Sequence, residues 1–196
     1  MIWLAAVAQL SAPQPINRNW FRPQDTPQKI MPENTVQAVR VGLTINPFGK
    51  VQDCRIEVSS GNPPLDRHAC GIMKGRARFR PARISGEPAY GIYRTSLSWW
   101  VGDGFPPPAA ELPDLDVDVP ALPPKVKSPL VMRITYAVDA LGRTSGCEAE
   151  GKKDNPELVV IACTRLLRSK AARPARTPEA NTVPSVQTGT VLFRAN

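Results

Sequence analysis

GKVQDCRIEVSSGNPPLDRHAC, residues 49–70, and GRTSGCEAEGKKDNPELVVIAC, residues 142–163, decide the reading of this chain. A gapless shift of 93 positions lays one on the other. Cys54 and Cys70 fall on Cys147 and Cys163, Gly49 on Gly142, Asn62-Pro63 on Asn155-Pro156, and Leu65 on Leu158. Further out, Pro81-Ala82-Arg83 falls on Pro174-Ala175-Arg176. One small cysteine-marked module is therefore written twice. Such a duplication speaks to architecture, compartment and a binding role, and nothing in it points to a reaction.

Each copy reads strand–strand–helix–strand. In the first, Val39, Val41, Leu43 and Ile45 alternate with other residues, which is strand periodicity. Asn46-Pro47-Phe48-Gly49 signals a turn, and Val51 to Val58 returns with Cys54, Ile56 and Val58 on one face. Asn62 can cap a helix whose first turn takes Pro63, where no backbone donor is needed. Leu65, Ala69, Ile72 and Met73 then recur at helical spacing, with Cys70 on the flank of that stripe. Tyr90 to Val101 is the last strand. In the second copy the strands are Val131 to Val138, Thr144 to Ala149 and Val186 to Phe193. The helix opened by Asn155-Pro156 carries Leu158, Ile161, Ala162, Leu166 and Leu167.

Copy 1 is placed at residues 36–101 and copy 2 at 130–194. Between them, residues 105–129 hold eight prolines and interleave Asp114, Asp116 and Asp118. This composition reads as an extended, semi-rigid acidic linker. Residues 13–37, rich in Pro, Asn and Gln, read as a lead-in.

A chain of 196 residues has room for two such domains. Domains this small bury a modest core and often need a covalent staple. Four cysteines in two repeated pairs fit that need as disulfides in an oxidising compartment. Free buried thiols are the other reading. A tetrahedral metal site wants short-spaced ligands and more histidine than the single His68. The net charge of +8 is uneven: residues 1–104 carry 13 basic and 7 acidic side chains, 105–129 carry 2 and 4, and 130–196 carry 10 and 6. Two basic modules flank an acidic connector, and basic surfaces attract phosphates, anionic headgroups or acidic protein patches.

Residues 1–12, MIWLAAVAQLSA, form an apolar run ending in small residues. They resemble a secretory signal with Ala12 as the cleavage point, although no Lys or Arg precedes the apolar core. Export agrees with the cysteines. No later stretch approaches the ~20 apolar residues of a membrane span, so a cleaved product is expected to be soluble.

Gly49-Lys50-Val51, Cys54, Val58-Ser59-Ser60-Gly61, Leu65-Asp66, Cys70, Arg76-Ala77-Arg78-Phe79-Arg80-Pro81-Ala82 and Gly86-Glu87-Pro88 together resemble the C-terminal domain of the TonB family. Residues 36–101 cover nearly the whole of that pattern. The second copy keeps Gly142, Cys147, Cys163 and Arg173-Pro174-Ala175. It has Lys152-Lys153-Asp154 in place of Ser59-Ser60-Gly61 and Ala172 in place of Phe79. The resemblance implies a periplasmic domain with a small antiparallel sheet packed on helices. Family members carry an N-terminal membrane anchor and a long Pro-rich spacer. They pass force from an inner-membrane motor to outer-membrane receptors, whose short peptide box adds as a strand to the domain's edge. This chain departs from that pattern: its leader is short for a span, its Pro-rich stretch lies between two copies, and the copies are tandem. The resemblance therefore carries fold and compartment further than energy transduction.

The cysteines are the first candidate site. Four allow three pairings. The repeat selects Cys54 with Cys70 and Cys147 with Cys163, because each copy then closes itself. Neither pair has the short spacing of a thiol–disulfide exchange motif. The second candidate is the last strand of each copy, as a peptide-binding edge: Tyr90, Ile92, Leu97, Trp99 and Trp100 in the first, Val186, Val191 and Phe193 in the second. An open edge offers unpaired backbone groups to a partner strand. The bland reading is that the lead-in, the linker or the other copy covers it. Trp99 and Trp100 point to opposite faces.

Arg76, Arg78, Arg80 and Arg83 around Phe79 are the pattern of a single-strand nucleic-acid site. They read better as a solvated charged face around one core aromatic, and no nucleic-acid partner is expected. His68, near Asp66, lacks companion ligands. Ser59-Ser60-Gly61 lacks the surrounding pattern of a nucleophile elbow. No phosphate loop or metal-binding helix motif occurs, so no catalytic residue, metal or cofactor is assigned.

These readings converge on an α+β chain of two small TonB-C-terminal-like domains, each a three-stranded antiparallel sheet packed against a helix. It is expected to be exported, periplasmic and non-enzymatic. It would bind a protein or peptide partner by strand addition, an outer-membrane receptor being one candidate, with a link to TonB-dependent transmembrane transport. The alternative is a non-transducing envelope scaffold whose basic faces hold anionic peptidoglycan or lipid headgroups. Salt separates the two, since headgroup binding weakens steeply with ionic strength and backbone pairing does not.

Overall fold

The structure is a computed structural model describing residues 9–17, 19–31, 33, 35–102, 113–124, 126–150, 155–169 and 172–195. Both copies fold in the expected order. Copy 1 consists of β3 (Thr35–Ile45), β4 (Val51–Val58), α1 (Pro63–Arg76) and β7 (Glu87–Val101). Copy 2 consists of β9 (Leu130–Val138), β10 (Thr144–Ala149), α2 (Pro156–Ser169) and β13 (Ser185–Ala195). Short strands fill the gaps. β1 (Leu10–Ser11) and β2 (Gln14–Pro15) lie in the lead-in, β5 (Phe79–Arg80) and β6 (Ala82–Ile84) follow α1, β8 (Leu115–Val119) lies in the linker, and β11 (Ala175–Arg176) and β12 (Thr182–Val183) follow α2.

Local chemistry sets these boundaries. Each hairpin turn is held by an Asx residue: Asn46 Oδ1 accepts from the amides of Phe48 and Lys50, and Asp139 Oδ1 from those of Leu141 and Arg143. Gly49 closes the first turn at φ +77°, and a Cβ there would lie 2.0 Å from the Phe79 carbonyl oxygen. Gly142 repeats the arrangement at φ +82° against the Ala172 carbonyl. Asn62 caps α1, its side chain accepting from the Leu65 amide.

Within each copy the sheet is antiparallel: β3 pairs with β4 and β7, and β9 with β10 and β13. The two sheets are not separate. β13 pairs in parallel with β7, Ser185 opposite Tyr90, Val186 opposite Gly91 and Gln187 opposite Ile92. Among the described residues this makes one nine-stranded mixed sheet. The fold is mixed α and β, as expected, but a shared sheet replaces two independent three-stranded ones.

The register also fixes where the helices lie. Val39, Val41, Leu43 and Ile45 are fully buried against Leu65, Ala69 and Met73 of α1. Their β7 neighbours on that face are Tyr93, Leu97 and Trp99. α2 packs its Leu158, Ala162 and Leu166 against Ile134, Tyr136, Val191 and Phe193. Registered neighbours share a face, so Gln187 lies beside Ile92, on the face away from α1. A Cβ on Gly189 would meet Leu166 at 2.5 Å, which puts α2 on that same face. The two helices therefore cover opposite faces, and a pseudo-two-fold axis runs between β7 and β13.

The lead-in is packed rather than peripheral. Trp20 is buried against Phe79 with ring centroids 6.0 Å apart, and Phe21 meets Trp99 edge-on at 5.3 Å. Leu10 and Ser11 pair with Ile84 and Arg83, and Ala12, the expected cleavage point, is buried. Residues 1–8 of the leader lie outside the described residues, as do residues 103–112 of the linker and Lys152-Lys153-Asp154. The described part of the linker departs from its expected form, because Leu115–Val119 pairs in parallel with Val191–Ala195 of β13. Alternation drives this: Val117 and Val119 are buried, while Asp116 turns out to Arg194. No helix among the described residues is long and apolar enough to cross a membrane.

Candidate functional site

Cys54 is bridged to Cys70 and Cys147 to Cys163, so each copy carries one staple between its second strand and its helix. Cys54 lies on the α1 face opposite Leu43, and Cys147 lies opposite Tyr136 on the α2 face.

The strands proposed as edges are placed differently. β13 has β9 along one side, and on the other it has β7 at residues 185–187 and β8 at residues 191–195. Val186, Val191 and Phe193 are fully buried, so the expectation that they form an open edge is corrected: the linker and the other copy cover it. In β7, Tyr90 and Ile92 are paired with β13. Leu97 and Trp99 are buried in the α1 core. From Arg94 to Val101, β7 pairs with β3 on one side, and among the described residues no strand pairs with the other. The Arg94 amide points to that free side, donating to Thr188 Oγ1 at 3.1 Å. Backbone direction alternates along a strand, so Ser96, Ser98 and Trp100 present their amides and carbonyls the same way. Trp99 and Trp100 do face opposite sides, and the Trp100 indole N–H is buried with no acceptor among the described residues.

Where the free side begins, a charged cluster joins the copies. Arg94 donates to Glu57 at 2.9 Å, to the Thr188 carbonyl at 2.7 Å, to Gln187 at 3.1 Å and to the Tyr136 hydroxyl at 3.2 Å. Asp114 of the linker accepts from Arg40 at 2.5 Å and from the Thr190 amide at 2.7 Å. Burial works against the Arg94 charge, but Tyr136, Glu57 and Asp114 outweigh it and raise its pKa. Burial, reinforced by Asp114 and Glu57, raises the pKa of Tyr136 and keeps its hydroxyl protonated. Neither Arg94 nor Asp114 was given a role from the sequence, because their hydrogen-bond partners lie 37 to 94 positions away.

The remaining candidates have structural jobs. Arg76 makes a two-pronged ion pair with Asp25, whose carboxyl it holds below the usual range. His68 Nε2 meets the Asp25 carbonyl at 2.7 Å, so together they dock the lead-in onto α1. Phe79 fills the core while Arg78, Arg80 and Arg83 stay exposed. Ser59 and Ser60 serve Asp66: its buried carboxylate accepts from both hydroxyls, at 2.6 and 2.7 Å, and from the Ser60 amide at 3.0 Å. Burial raises the Asp66 pKa, but these bonds outweigh it and leave it lowered.

The face of copy 1 away from α1 borders a cleft of about 750 Å³. Gly42, Thr44 and Ile92 lie on one side, and the segment after α2 forms the other. Arg55, Arg173 and Arg176 line it, are exposed, and make no side-chain ion pair or hydrogen bond among the described residues. No group of three His, Cys, Asp or Glu side chains is placed to hold a metal among these residues.

Residues 27–99 match the family model described as Gram-negative bacterial TonB protein C-terminal. No curated protein and no solved structure matches the chain. The match spans β3, β4, α1 and all but the end of β7, together with the second half of the lead-in.

Proposed function

We propose, from the match of residues 27–99 to the TonB C-terminal family model, that this chain is a non-enzymatic protein-binding module of the cell envelope related to TonB-type transport. It takes an extended segment of a partner as an added strand on the free side of β7, between Arg94 and Val101. One observation carries this reading: among the described residues, the second half of this long strand is paired on one side only. Its backbone groups are available for pairing, and Ser96, Ser98 and Trp100 alternate along it. The expected partner is an outer-membrane receptor of the TonB-dependent type, and the expected compartment is the periplasm.

The second copy narrows the site. In the folded chain β13 already occupies the β7 edge from Tyr90 to Ile92, so a partner strand has only the later residues. Titrating isotope-labelled protein with N-terminal peptides of TonB-dependent receptors tests this. The amides of Ser96, Ser98 and Trp100 should shift and gain exchange protection, and Ser98→Pro should abolish both effects. Peptides that bind while leaving these amides untouched would show that the edge is not the site.

A further inference from the structure

The pseudo-two-fold axis creates two equivalent clefts, one on each face of the shared sheet, and among the described residues only one of them is filled. On the α1 face the lead-in fills it. Ser11 pairs with Arg83 and Gln14 with Arg80, while the Leu10 side chain reaches within 3.1 Å of where a Gly146 Cβ would sit on β10. The same segment packs Pro13 against Gly91. An extended piece of chain thus runs along Arg80 to Ile84 and bridges onto the other copy.

The repeat shift of 93 carries Arg80 to Arg173 and Arg83 to Arg176, and it brings Gly146 back to Asp53. Arg173, Arg176 and Asp53 all line the cleft on the α2 face. Among the described residues no strand fills the corresponding place there. Among the described residues β11 has β12 as its one strand neighbour, and its other side faces the cleft. The Arg176 carbonyl, equivalent to that of Arg83, accepts at 2.8 Å from the Gln52 side-chain amide, which stands where a strand amide would donate.

We propose that this second cleft binds an extended acidic peptide segment of another protein, which pairs with residues 173–176 as the chain's own residues 10–14 pair with residues 80–84. The charge of the ligand follows from the lining. Asp53 is answered by Lys74 at 3.6 Å, and Glu57 and Asp114 are held by Arg40 and Arg94. Arg55, Arg173 and Arg176 are left over, and guanidinium groups favour carboxylate partners. The volume lies within the range of pre-formed ligand sites. This site is on a different strand from the β7 edge and does not depend on it.

The test uses the full chain with both disulfides intact and a capped Val-Asp-Val-Asp-Val-Asp peptide as probe. Calorimetry should show binding, and the Asn-for-Asp version of the peptide should bind at least about tenfold more weakly. The double change Arg173→Ala with Arg176→Ala should weaken the acidic peptide by a similar factor. The repeat-equivalent change Arg80→Ala with Arg83→Ala should leave it unaltered. Amide protection should rise at Arg173 and Arg176, Pro174 having no amide hydrogen, and not at 94–101. All four exchanged arginines are exposed, and non-reducing mass mapping with near-ultraviolet circular dichroism confirms the fold of each variant. Any of four results overturns the proposal: no binding at millimolar peptide, equal loss in both double variants, full displacement by inorganic phosphate, or sedimentation showing that a second copy of the chain occupies the cleft.

Discussion

Asp66 shows how much of the first module rests on single atoms. Three hydrogen bonds from Ser59 and Ser60 converge on a buried carboxylate at the start of α1. They tie the end of β4 to the helix and set the direction in which it leaves. Asp66→Asn keeps the shape but removes the charge and one acceptor, and it should cost about 1–3 kcal/mol in urea unfolding. The sign with pH follows from the lowered pKa. The contribution is fully present above the unfolded carboxyl value of about 3.9 and is lost as pH falls through the lower folded value. The gap between wild type and Asp66→Asn should therefore be constant near neutrality and close below about pH 4. A gap that persists at low pH would mean the carboxylate charge is not what matters. Gly49 makes a second prediction at this scale. Its φ of +77° and the 2.0 Å approach to Phe79 leave no room for a Cβ, so Gly49→Ala should shift the crossing of residues 78–80 over the turn. A melting temperature lowered by several degrees is expected from about 1–3 kcal/mol of strain in a chain of this size.

Each disulfide joins an edge strand to a helix across a sequence separation of 16. Closing such a loop removes unfolded-state entropy worth about 3 kcal/mol. The double change Cys54→Ala with Cys70→Ala should lower stability by that order, and the same change at 147 and 163 should do likewise; equal urea midpoints with and without the bridges would refute it. The staples were legible because the cysteines recur in register with the turn and cap residues. β3, β4 and α1 were legible for a similar reason, since alternation, Asn46, Gly49, Asn62 and Pro63 all act within a few positions. β8 was missed although its signal was present. Leu115-Asp116-Val117-Asp118-Val119 alternates as a strand should, but eight prolines in residues 105–129 outweighed five residues of pattern. β13 was legible as a strand and misplaced as an edge. Its unbroken burial records two neighbouring strands and a helix, which a short apolar run cannot distinguish from one covered face.

The order of elements in each half could be read from sequence, but the union of the halves could not. It rests on three residue pairs of parallel sheet, on contacts such as Arg133 with Tyr93 and Gln52 with Arg176, and on the cluster around Arg94, whose partners lie in copy 1, the linker and copy 2. In sequence Arg94 is a lone charge in a strand. In the folded chain it faces Glu57, Asp114, Tyr136, Gln187 and Thr188, with a side chain only 13% exposed. Replacing it with Met keeps much of the volume and leaves two carboxylates near each other with less compensation. Breaking a buried pair in this way costs about 3–5 kcal/mol. That loss falls on the junction and not on either helix-covered core, because neither α1 nor α2 contributes to the cluster. Wild-type chain should therefore unfold in urea as one transition, and Arg94→Met as two. In the variant, the amides of Gln187 and Thr188 should exchange much faster while those of Val41 and Leu43 stay protected. Arg94→Lys should fall between, since one ammonium cannot reach all the acceptors that the guanidinium serves. If Arg94→Met still unfolds in one unshifted transition, the β7–β13 pairing and the remaining contacts between the copies, such as Arg133 with Tyr93, hold the junction without the charged cluster.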